Sequence, residues 1–387
     1  MFQEPALIYF GLSGYSFVVM IKKILSVLVP LLLFAAAGQA QVGITSVPFL
    51  QIEPDSRAAG MGNTGVAIAD NASAVFWNPA GLAFQNGNQV SITHSEWLPQ
   101  FNVDLFYDYL VGKYHVKDIG TFGAHITYLN LGEQQHTTRI DPTGERLGRF
   151  NSYEFAGGIS YGYQIDEHWS VGTGFRFIHS SLADGIGDFE GDKIEPGSSV
   201  GFDMAGMYQS DTFIFLERDA AWSAGLNISN IGPGVNYTNN AEKDPLPTMF
   251  RIGWSFKTDL DRKGINTLTI ANDYSKVMAR KDEGAISSLF TSWGSFNRDI
   301  GDGRTATLNT FQQLLVATGL EYWYDELFAV RTGYYYEDPN NGDRQFLTLG
   351  AGLRHQFFGV DFSYIYTLGD ENHPLANTTR FGLILDF

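Results

Sequence analysis

The sequence predicts an all-β protein: a transmembrane antiparallel β-barrel of about fourteen strands with an N-terminal plug of short helices. Three observations support this prediction. From residue 88 to residue 387, apolar and polar side chains alternate with a period of two. The connections between these segments are long and short in turn. A stretch rich in Ala and Gly, residues 56–84, precedes the first strand and contains the small side chains that allow backbone to pack on backbone.

Composition agrees with a barrel and excludes several classes of protein. Charged residues make up 17% of the 387 residues, below the roughly 25% usual in soluble domains. The chain contains 43 Gly, which we expect at crowded inward positions, and its aromatic residues suit the membrane interfaces. A net charge of −17 argues against nucleic acid as a partner. Without Cys, neither a disulfide nor a thiolate metal site can form.

The first forty residues have the features of an export signal. Lys22 and Lys23 precede the apolar run 24–37, and Ala40 ends a small-residue cleavage site. That run is broken by Pro30 and is shorter than the ~20 residues of a membrane-spanning helix. We therefore expect a signal peptide over 1–40, in which 1–19 reflects a start codon assigned too far upstream. The lead-in and plug would occupy 41–87, and the barrel 88–387.

Within the plug we predict two short helices and one tight turn. Ser56 can cap a helix over 57–61, and Asp70 can cap a second over 72–77. Pro79 fixes its own φ angle and disfavours helical conformations at the preceding residue. The residues expected to define the plug are Arg57, Gly60, Gly62, Asn78, Pro79 and Gly81.

The strand segments have one apolar face and one small or polar face. In the second segment, for example, Tyr107 and Tyr109 fall on the predicted apolar face and Asp108 on the other. We expect strands to begin near residues 88, 103, 119, 150, 168, 198, 220, 248, 264, 309, 326, 343, 357 and 377. A soluble sandwich would show the same period with its apolar face inward. The aromatic content of the apolar face and the export signal favour the membrane barrel, so the apolar face should meet lipid.

The lengths of the connections test this prediction independently. Those after the third, fifth, seventh and ninth strands are long: 132–149, 181–197, 231–247 and 275–308. Those after the fourth, eighth, tenth and twelfth strands are short, near residues 166–167, 261–263, 325 and 356. Such alternation is typical of barrels whose two rims face different compartments. The last strand ends at Phe387 in the apolar alternation typical of an outer-membrane assembly signal.

The polar face carries charges that should point into the lumen, where each needs a partner or water. They are Asp104, Asp108, Glu154, Arg176, Arg251, Arg331, Arg354, Asp361, Arg380 and Asp386. We expect Arg57 of the plug to pair with one of the lumenal carboxylates and hold the plug in place. The alternative is that Arg57 is hydrated at the periplasmic rim.

Two motifs suggest other chemistry. Residues 158–162 match the G-x-S-x-G nucleophile elbow, but that elbow requires a turn from strand to helix and these residues lie inside a predicted strand. One long connection contains the acidic residues Asp184, Asp188, Glu190, Asp192 and Glu195, which could bind calcium. Their spacing does not fit an EF-hand, and a solvated loop is the better interpretation. We therefore expect no enzyme activity, catalytic residue, metal or cofactor.

The plug sequence 47–84 resembles the PorV family of the type IX secretion system, and the segments NIGP at 230–233 and LPTMFRIG at 246–253 extend the resemblance. The resemblance implies a FadL-like barrel in the outer membrane of a Gram-negative bacterium of Bacteroidota type. It also implies that the protein binds secreted cargo with C-terminal sorting domains at the large translocon barrel. The cargo then passes to a cell-surface attachment complex.

The plug turn also occurs in FadL-type fatty-acid transporters. A FadL-like transporter of hydrophobic small molecules is therefore the first alternative function, and an outer-membrane enzyme acting on lipid is the second. The expected partners are outer-membrane lipid, translocon, cargo and attachment complex. Candidate residues for partner or cargo loops are Asp184, Asp188, Asn230, Gly232, Pro233 and Leu246.

Overall fold

Fourteen strands close into one antiparallel barrel in the computed structural model, which describes residues 45–101, 103–136, 148–184, 194–237, 243–281, 283–300, 304–368 and 373–387. The wall strands are β1 (Gln89–Glu96), β2 (Phe106–Val116), β3 (Gly120–Gln135), β4 (Arg149–Gln164), β5 (Trp169–Ser181), β6 (Gly197–Gln209), β8 (Arg218–Ile231), β9 (Met249–Asp259), β10 (Asn266–Val277), β13 (Leu315–Tyr324), β14 (Phe328–Tyr336), β15 (Gln345–His355), β16 (Phe358–Thr367) and β17 (Thr379–Asp386).

Each wall strand pairs with its sequence neighbour, and β1 pairs with β17 to close the cylinder. The register of this seam runs from Gln89 opposite Asp386 to Ser95 opposite Arg380. Asn88 and Phe387 exchange two backbone hydrogen bonds of 3.0 Å at its end. Because a closed barrel leaves no wall strand without a partner on either side, the predicted fold class is confirmed.

The two rims differ as the sequence predicted. The described residues of connections 136–148, 182–196, 232–248, 278–314 and 368–378 lie at one rim, and the short turns 165–168, 260–265, 325–327 and 356–357 lie at the other. Asp325, Glu326 and Gln356 adopt positive φ angles in these turns, as tight hairpins require. The sequence did not predict β7 (Phe213–Phe215), which extends a hairpin at the short-turn rim. It also missed β11 (Phe296–Asp299), β12 (Thr305–Leu308) and a short helix (Ala285–Thr291), all in connection 278–314.

The outer face of the wall is apolar. Ile159 and Leu383 keep 65% and 58% of their surface exposed, although both lie in the middle of long strands. The inner face is buried and largely polar, as in the burial alternation of β5 and β17. The predicted assignment of faces holds in β4, β5, β9, β15, β16 and β17.

In β2 the predicted faces are wrong. Tyr107 and Tyr109 point inward and are almost fully buried, whereas Asp108 lies on the outer face and pairs with His94 at 2.7 Å. Asp104 is exposed and precedes the strand. The tyrosines face inward because they join the apolar cluster around the plug, and the Tyr107 hydroxyl donates to the carbonyl of Ile52.

The plug consists of short helices that contact opposite sides of the lumen. Helix α1 (Ser56–Gly60) packs against β14–β17, and the 3₁₀-helix Pro79–Phe84 packs against β3–β6. A second α-helix, α2 (Ala74–Trp77), and a 3₁₀-helix (Pro48–Gln51) complete the plug. No helix in the described part of the chain is long and apolar enough to span a bilayer.

Both predicted helix caps are wrong. Asp55, not Ser56, caps α1 by accepting a hydrogen bond of 2.8 Å from the amide of Ala58. Helix α2 begins two residues later than predicted, after Ser73, and Asp70 pairs with Arg57 instead of capping it. The expected signal peptide, residues 1–40, lies outside the described residues.

Candidate functional site

The candidate site is the plugged lumen, and an ion pair crosses from the plug to the wall. Arg57 of α1 donates from Nε and Nη2 to the two carboxylate oxygens of Glu321 on β13, at 2.8 and 2.7 Å. It also pairs with Asp70 of the plug. This two-pronged geometry is the one in which Arg binds a carboxylate most strongly. Burial lowers the pKa of Arg57, but Asp70 and Glu321 raise it well above its usual value, so the guanidinium stays charged.

The ion pair continues along the wall as an alternating chain of charges. Arg331 donates to Glu321 and to Asp361, each at 2.7 Å, and Arg354 donates to Asp361 at 2.6 Å. The side chains of Arg331 and Glu321 are 0% and 1% exposed. Three Arg and three acids, counting Asp70, make the chain neutral. A buried charge without such compensation would be costly, so the loss of one member would leave its neighbours uncompensated.

Two further carboxylates bind the plug, and neither has a cationic partner among the described residues. Asp273 on β10 accepts from the backbone amides of Gly65 and Val66 at 2.7 and 2.9 Å. Asp55 accepts from the indole nitrogen of Trp77 at 2.5 Å, which ties α1 to α2. Sequence reasoning missed both Glu321 and Asp273. The alternation of Glu321 with Leu320 and Tyr322 was the one signal that could have identified it.

Wall glycines let the plug backbone approach closely. A Cβ added to Gly172 would lie 2.2 Å from the amide nitrogen of Ala80, and one on Gly162 would lie 2.8 Å from the carbonyl oxygen of Pro79. On the opposite wall, a Cβ on Gly333 would lie 2.1 Å from the amide nitrogen of Gly62. Because these contacts are with backbone, no side-chain movement can relieve them.

The predicted plug residues all make contacts with the plug or the wall. Asn78 accepts from the Ala80 amide at 3.1 Å and donates to the carbonyls of Val66 and Gly206 at 3.0 and 3.2 Å. The amide of Gly62, which has a φ of 68°, donates to the hydroxyl of Thr348 at 2.8 Å. The added Cβ atoms of Gly60 and Gly81 would lie 3.0 Å from Gly350 Cα and 2.2 Å from Ala69 O.

The remaining predicted lumenal charges are dispersed. Arg176 pairs with Asp203, and Glu154 accepts from the Ser180 hydroxyl at 2.8 Å. Neutral groups contact two more: Arg251 donates to the Ser229 hydroxyl at 2.8 Å, and Asp386 accepts from the Gln89 amide at 2.7 Å near the short-turn rim. Arg380 is 1% exposed, and its Nε and Nη1 atoms have no hydrogen-bond partner among the described residues.

Two cavities flank the plug and share no lining residue. The cavity at the short-turn rim, of about 850 Å³, is polar and is lined by Arg57, Glu321, Lys257, Asp325 and Arg354 among others. The cavity at the long-loop rim, of about 630 Å³, is mainly apolar. Its lining includes Phe49, Ile52, Leu129, Ile365, Leu375 and the guanidinium-bearing Arg380.

Two of the six candidate loop residues are buried. Asn230 and Leu246 are each 1% exposed, and the Asn230 side chain donates to the Pro247 carbonyl at 3.1 Å. A Cβ on Gly232 would lie 2.0 Å from the carbonyl oxygen of Val200, so this segment fastens its loop to the wall. Asp184 and Pro233 are exposed. Asp188 lies outside the described residues.

The alternative chemistries find no assembled site in the described part of the chain. Ser160 of the G-x-S-x-G match lies within β4 on the buried face, with strand on both sides. Among the described residues, no cluster of three or more His, Asp or Glu could hold a metal ion. Phe387 keeps 72% of its surface exposed and follows β17 on its apolar face.

A closed fourteen-stranded wall with an apolar exterior and an internal plug defines a plugged barrel of the outer membrane. The family model described as "Type IX secretion system protein PorV" matches residues 35–282. The chain therefore belongs to the PorV family. No curated protein sequence matches the chain.

Several solved structures are similar in fold. The toluene transporter TodX of P. putida is 10% identical, with a TM-score of 0.48 over 85% of this chain and 97% of that one. The toluene transporter TbuX of Ralstonia pickettii is 13% identical, with a TM-score of 0.47 over 87% and 99%. A FadL homologue from Pseudomonas aeruginosa is 13% identical, with a TM-score of 0.39 over 89% and 97%.

Proposed function

We propose that this protein is a non-enzymatic shuttle of the type IX secretion system in the outer membrane of a Gram-negative bacterium. It receives exported proteins with C-terminal sorting domains as they leave the large translocon barrel. It then passes them to the cell-surface attachment complex. Membership of the PorV family supports the secretion role, and the hand-off is what the family resemblance implies.

One observation carries the proposal: the plug is bonded to the wall on opposite sides of the lumen. Arg57 meets Glu321 on one side, and the Asn78–Gly81 turn packs against wall glycines on the other. A folded protein cannot pass through a lumen filled in this way. Cargo must therefore be bound outside the lumen, and the long-loop rim offers the larger surface for it.

The experiment is affinity purification of the tagged full chain from native membranes. We expect the large translocon barrel and proteins with C-terminal sorting domains to co-purify. A variant in which connection 182–196 is replaced by a short Gly-Ser turn tests the long-loop rim, and the same replacement of turn 260–265 is the matched control. Heat-dependent mobility on gels shows that each variant is folded. Recovery of a folded barrel with no secretion component would refute the proposal.

Transport of hydrophobic small molecules is the second candidate, and the apolar cavity at the long-loop rim is the observation that favours it. Against it, the plug separates this cavity from the polar one, and the two share no lining residue. Transport would require the plug to move. Uptake of a labelled hydrocarbon into cells, compared with cells lacking the protein, tests this candidate directly.

A further inference from the structure

A third cavity lies outside the lumen, between two of the long connections. Its volume is about 420 Å³, within the ~300–1,000 Å³ typical of small-molecule sites. Every residue that lines it belongs to connection 232–248 or to connection 278–314, and none belongs to a wall strand. The cavity therefore lies beyond the strand ends at the long-loop rim, where a ligand comes from the aqueous medium and not from the bilayer.

Arg280 in the lining of this cavity is a buried cation without an acidic partner among the described residues. It is 3% exposed, and Nε makes a long hydrogen bond of 3.4 Å to the Ser292 hydroxyl. Glu283 also lines the cavity, but its carboxylate accepts from the hydroxyls of Ser287 and Thr291. Burial lowers the pKa of Arg280, and the charge of Glu283 offsets only part of this effect. Because a buried charge is costly without a counter-ion, a bound anion would be stabilised here.

A buried hydroxyl in the same cavity is also unused. Ser288 is 1% exposed, and its Oγ atom has no hydrogen-bond partner among the described residues. Lys243 adds a second cation to the lining and is exposed. Three residues with donor groups thus line a cavity in which the carboxylate of Glu283 is already engaged, so the donors are available to an acceptor from outside.

The rest of the lining is mainly small and apolar. Leu246 and Ala279 are 1% and 3% exposed and form its inner end together with Ser288. Pro233 and Lys243 are exposed and form its mouth. A ligand that fits this lining has a carboxylate and an apolar group on neighbouring atoms.

We propose that this cavity binds the C-terminal carboxylate of an exported protein, with the carboxylate on Arg280 and Ser288 and the last side chain against Leu246 and Ala279. The fork of a guanidinium matches two carboxylate oxygens. The last residue of a chain carries its carboxylate and its side chain on one Cα atom, whereas inorganic phosphate has the charge alone. This inference rests on the proposed secretion role and names the part of the cargo that the long-loop rim holds.

The first test is photo-crosslinking of the full chain in cells. p-Benzoylphenylalanine takes the place of Gly284, which lines the cavity and where an added Cβ would meet nothing within 4 Å. We expect mass spectrometry to show crosslinks to peptides that end at the C-terminus of exported proteins, and Arg280→Gln to lower their yield at least tenfold. The same amino acid in place of Lys263, in the short turn 260–265 at the opposite rim, should give no such product. Crosslinks from position 284 to lipid or to internal peptides, or no crosslink, would overturn the proposal.

The second test measures affinity with the purified full chain in lipid nanodiscs. The crosslinked C-terminal peptide is synthesised with a fluorescent label as the free acid and as the C-terminal amide, and fluorescence anisotropy follows its binding. We expect the acid to bind at least tenfold more tightly than the amide, and Arg280→Gln to remove this difference. Arg298→Gln is the matched control: this arginine lies in the same connection and donates to the Asn341 side chain at 3.0 Å, so the affinity for the acid should change less than threefold. Equal affinities of the wild-type chain for acid and amide would contradict the proposal.

A second pair of variants keeps the test decisive if Arg280→Gln fails to fold. Gly284→Glu adds a negative charge to the cavity and should weaken binding of the acid at least tenfold, whereas the similarly sized Gly284→Gln should weaken it less than threefold. Equal losses in the two variants, or inorganic phosphate that binds as tightly as the acid, would also overturn the proposal. If these tests fail while the translocon and cargo still co-purify, only the site is refuted; if co-purification fails, the secretion role is refuted as well.

Discussion

The two halves of the plug meet the wall by different means. Both halves pack closely on wall glycines, but α1 also reaches β13 through the ion pair of Arg57 and Glu321, whereas the 3₁₀-helix Pro79–Phe84 lies against Gly162 and Gly172 with neutral groups. The charged side chains are long and flexible, so a row of ion pairs can adjust its geometry. Backbone contacts at glycine have no such freedom. The charges therefore select which part of the wall receives α1, while the glycines fix how deeply the turn can sit.

The largest effect should come from Glu321, because it holds two buried arginines. Glu321→Ala leaves Arg57 and Arg331 without their shared carboxylate, and breaking a buried pair in this way costs about 3–5 kcal/mol. Urea unfolding in lipid vesicles, followed by Trp fluorescence, measures the loss.

Two controls sharpen this prediction. Arg57→Ala should cost less, since Arg331 still compensates Glu321. Arg262→Ala removes an Arg–Glu pair whose side chains are both 76% exposed, so its effect should lie within ~1 kcal/mol. Equal losses from Glu321→Ala and Arg262→Ala would show that the buried chain does not hold the plug. An Arg57→Ala protein with unchanged stability and plug order would contradict the role of Arg57.

Gly172→Ala tests the opposite half of the plug. The added Cβ would lie 2.2 Å from the Ala80 amide nitrogen, so we expect a loss of about 1–3 kcal/mol and displacement of the turn. The matched control is Gly157→Ala, where the nearest atom beyond the chain neighbours is 3.8 Å away. Limited proteolysis of the plug, together with unfolding, checks both variants. If both glycine variants behave alike, close packing does not position the turn.

Asn78→Ala should have a smaller effect, about 1–2 kcal/mol, because it removes the cap of the 3₁₀-helix and two hydrogen bonds to neutral carbonyls. Hydrogen exchange of the plug amides measures it. We expect faster exchange at the turn and little change at α1. Loss of protection throughout the plug would mean that its two halves form one cooperative unit.

The smallest effect concerns a turn outside both halves. Hydrogen bonds from the Asn266 side chain, then from backbone amides, lower the pKa of Asp261 to about 2. Its folded pKa lies below its unfolded value of about 3.9, so it stabilises the turn above pH ~4 and loses this effect as the pH falls toward 2. Asp261→Ala should lower the melting temperature slightly at pH 7 and not at pH 2. A difference that persists at pH 2 would contradict this.

Periodicity predicted the strands and most of their faces, because lipid and lumen impose opposite demands on alternate residues. The aromatic content of the apolar face and the export signal favoured the barrel over a sandwich of the same period. Periodicity failed in β2, where Tyr107 and Tyr109 suit either side: a ring can face lipid or pack against the plug. The plug decides between these, and its position depends on contacts far apart in sequence. For the same reason Asp108, which was predicted to face the lumen, lies on the outer face of β2.

The partners of Arg57 could not be chosen from the sequence either. Many carboxylates fall on the inner face of the predicted strands. Which of them pairs with Arg57 depends on which strands lie beside α1. Asp55 and Ser56 are both good helix caps, and the contact of Asp55 with Trp77, twenty-two residues later, favours the former. The sequence also could not show that Asn230 is buried and that Gly232 lies against the backbone of Val200, because both contacts are with residues that are distant in the sequence.

The seam between β1 and β17 has a consequence for biogenesis. Its register joins residues nearly three hundred positions apart, so the cylinder cannot be completed while the last strand is still missing. Until then both outer strands would present unsatisfied amides and carbonyls, which invite pairing with other chains. A nascent or truncated molecule of this protein should therefore depend on chaperones in the periplasm for its solubility.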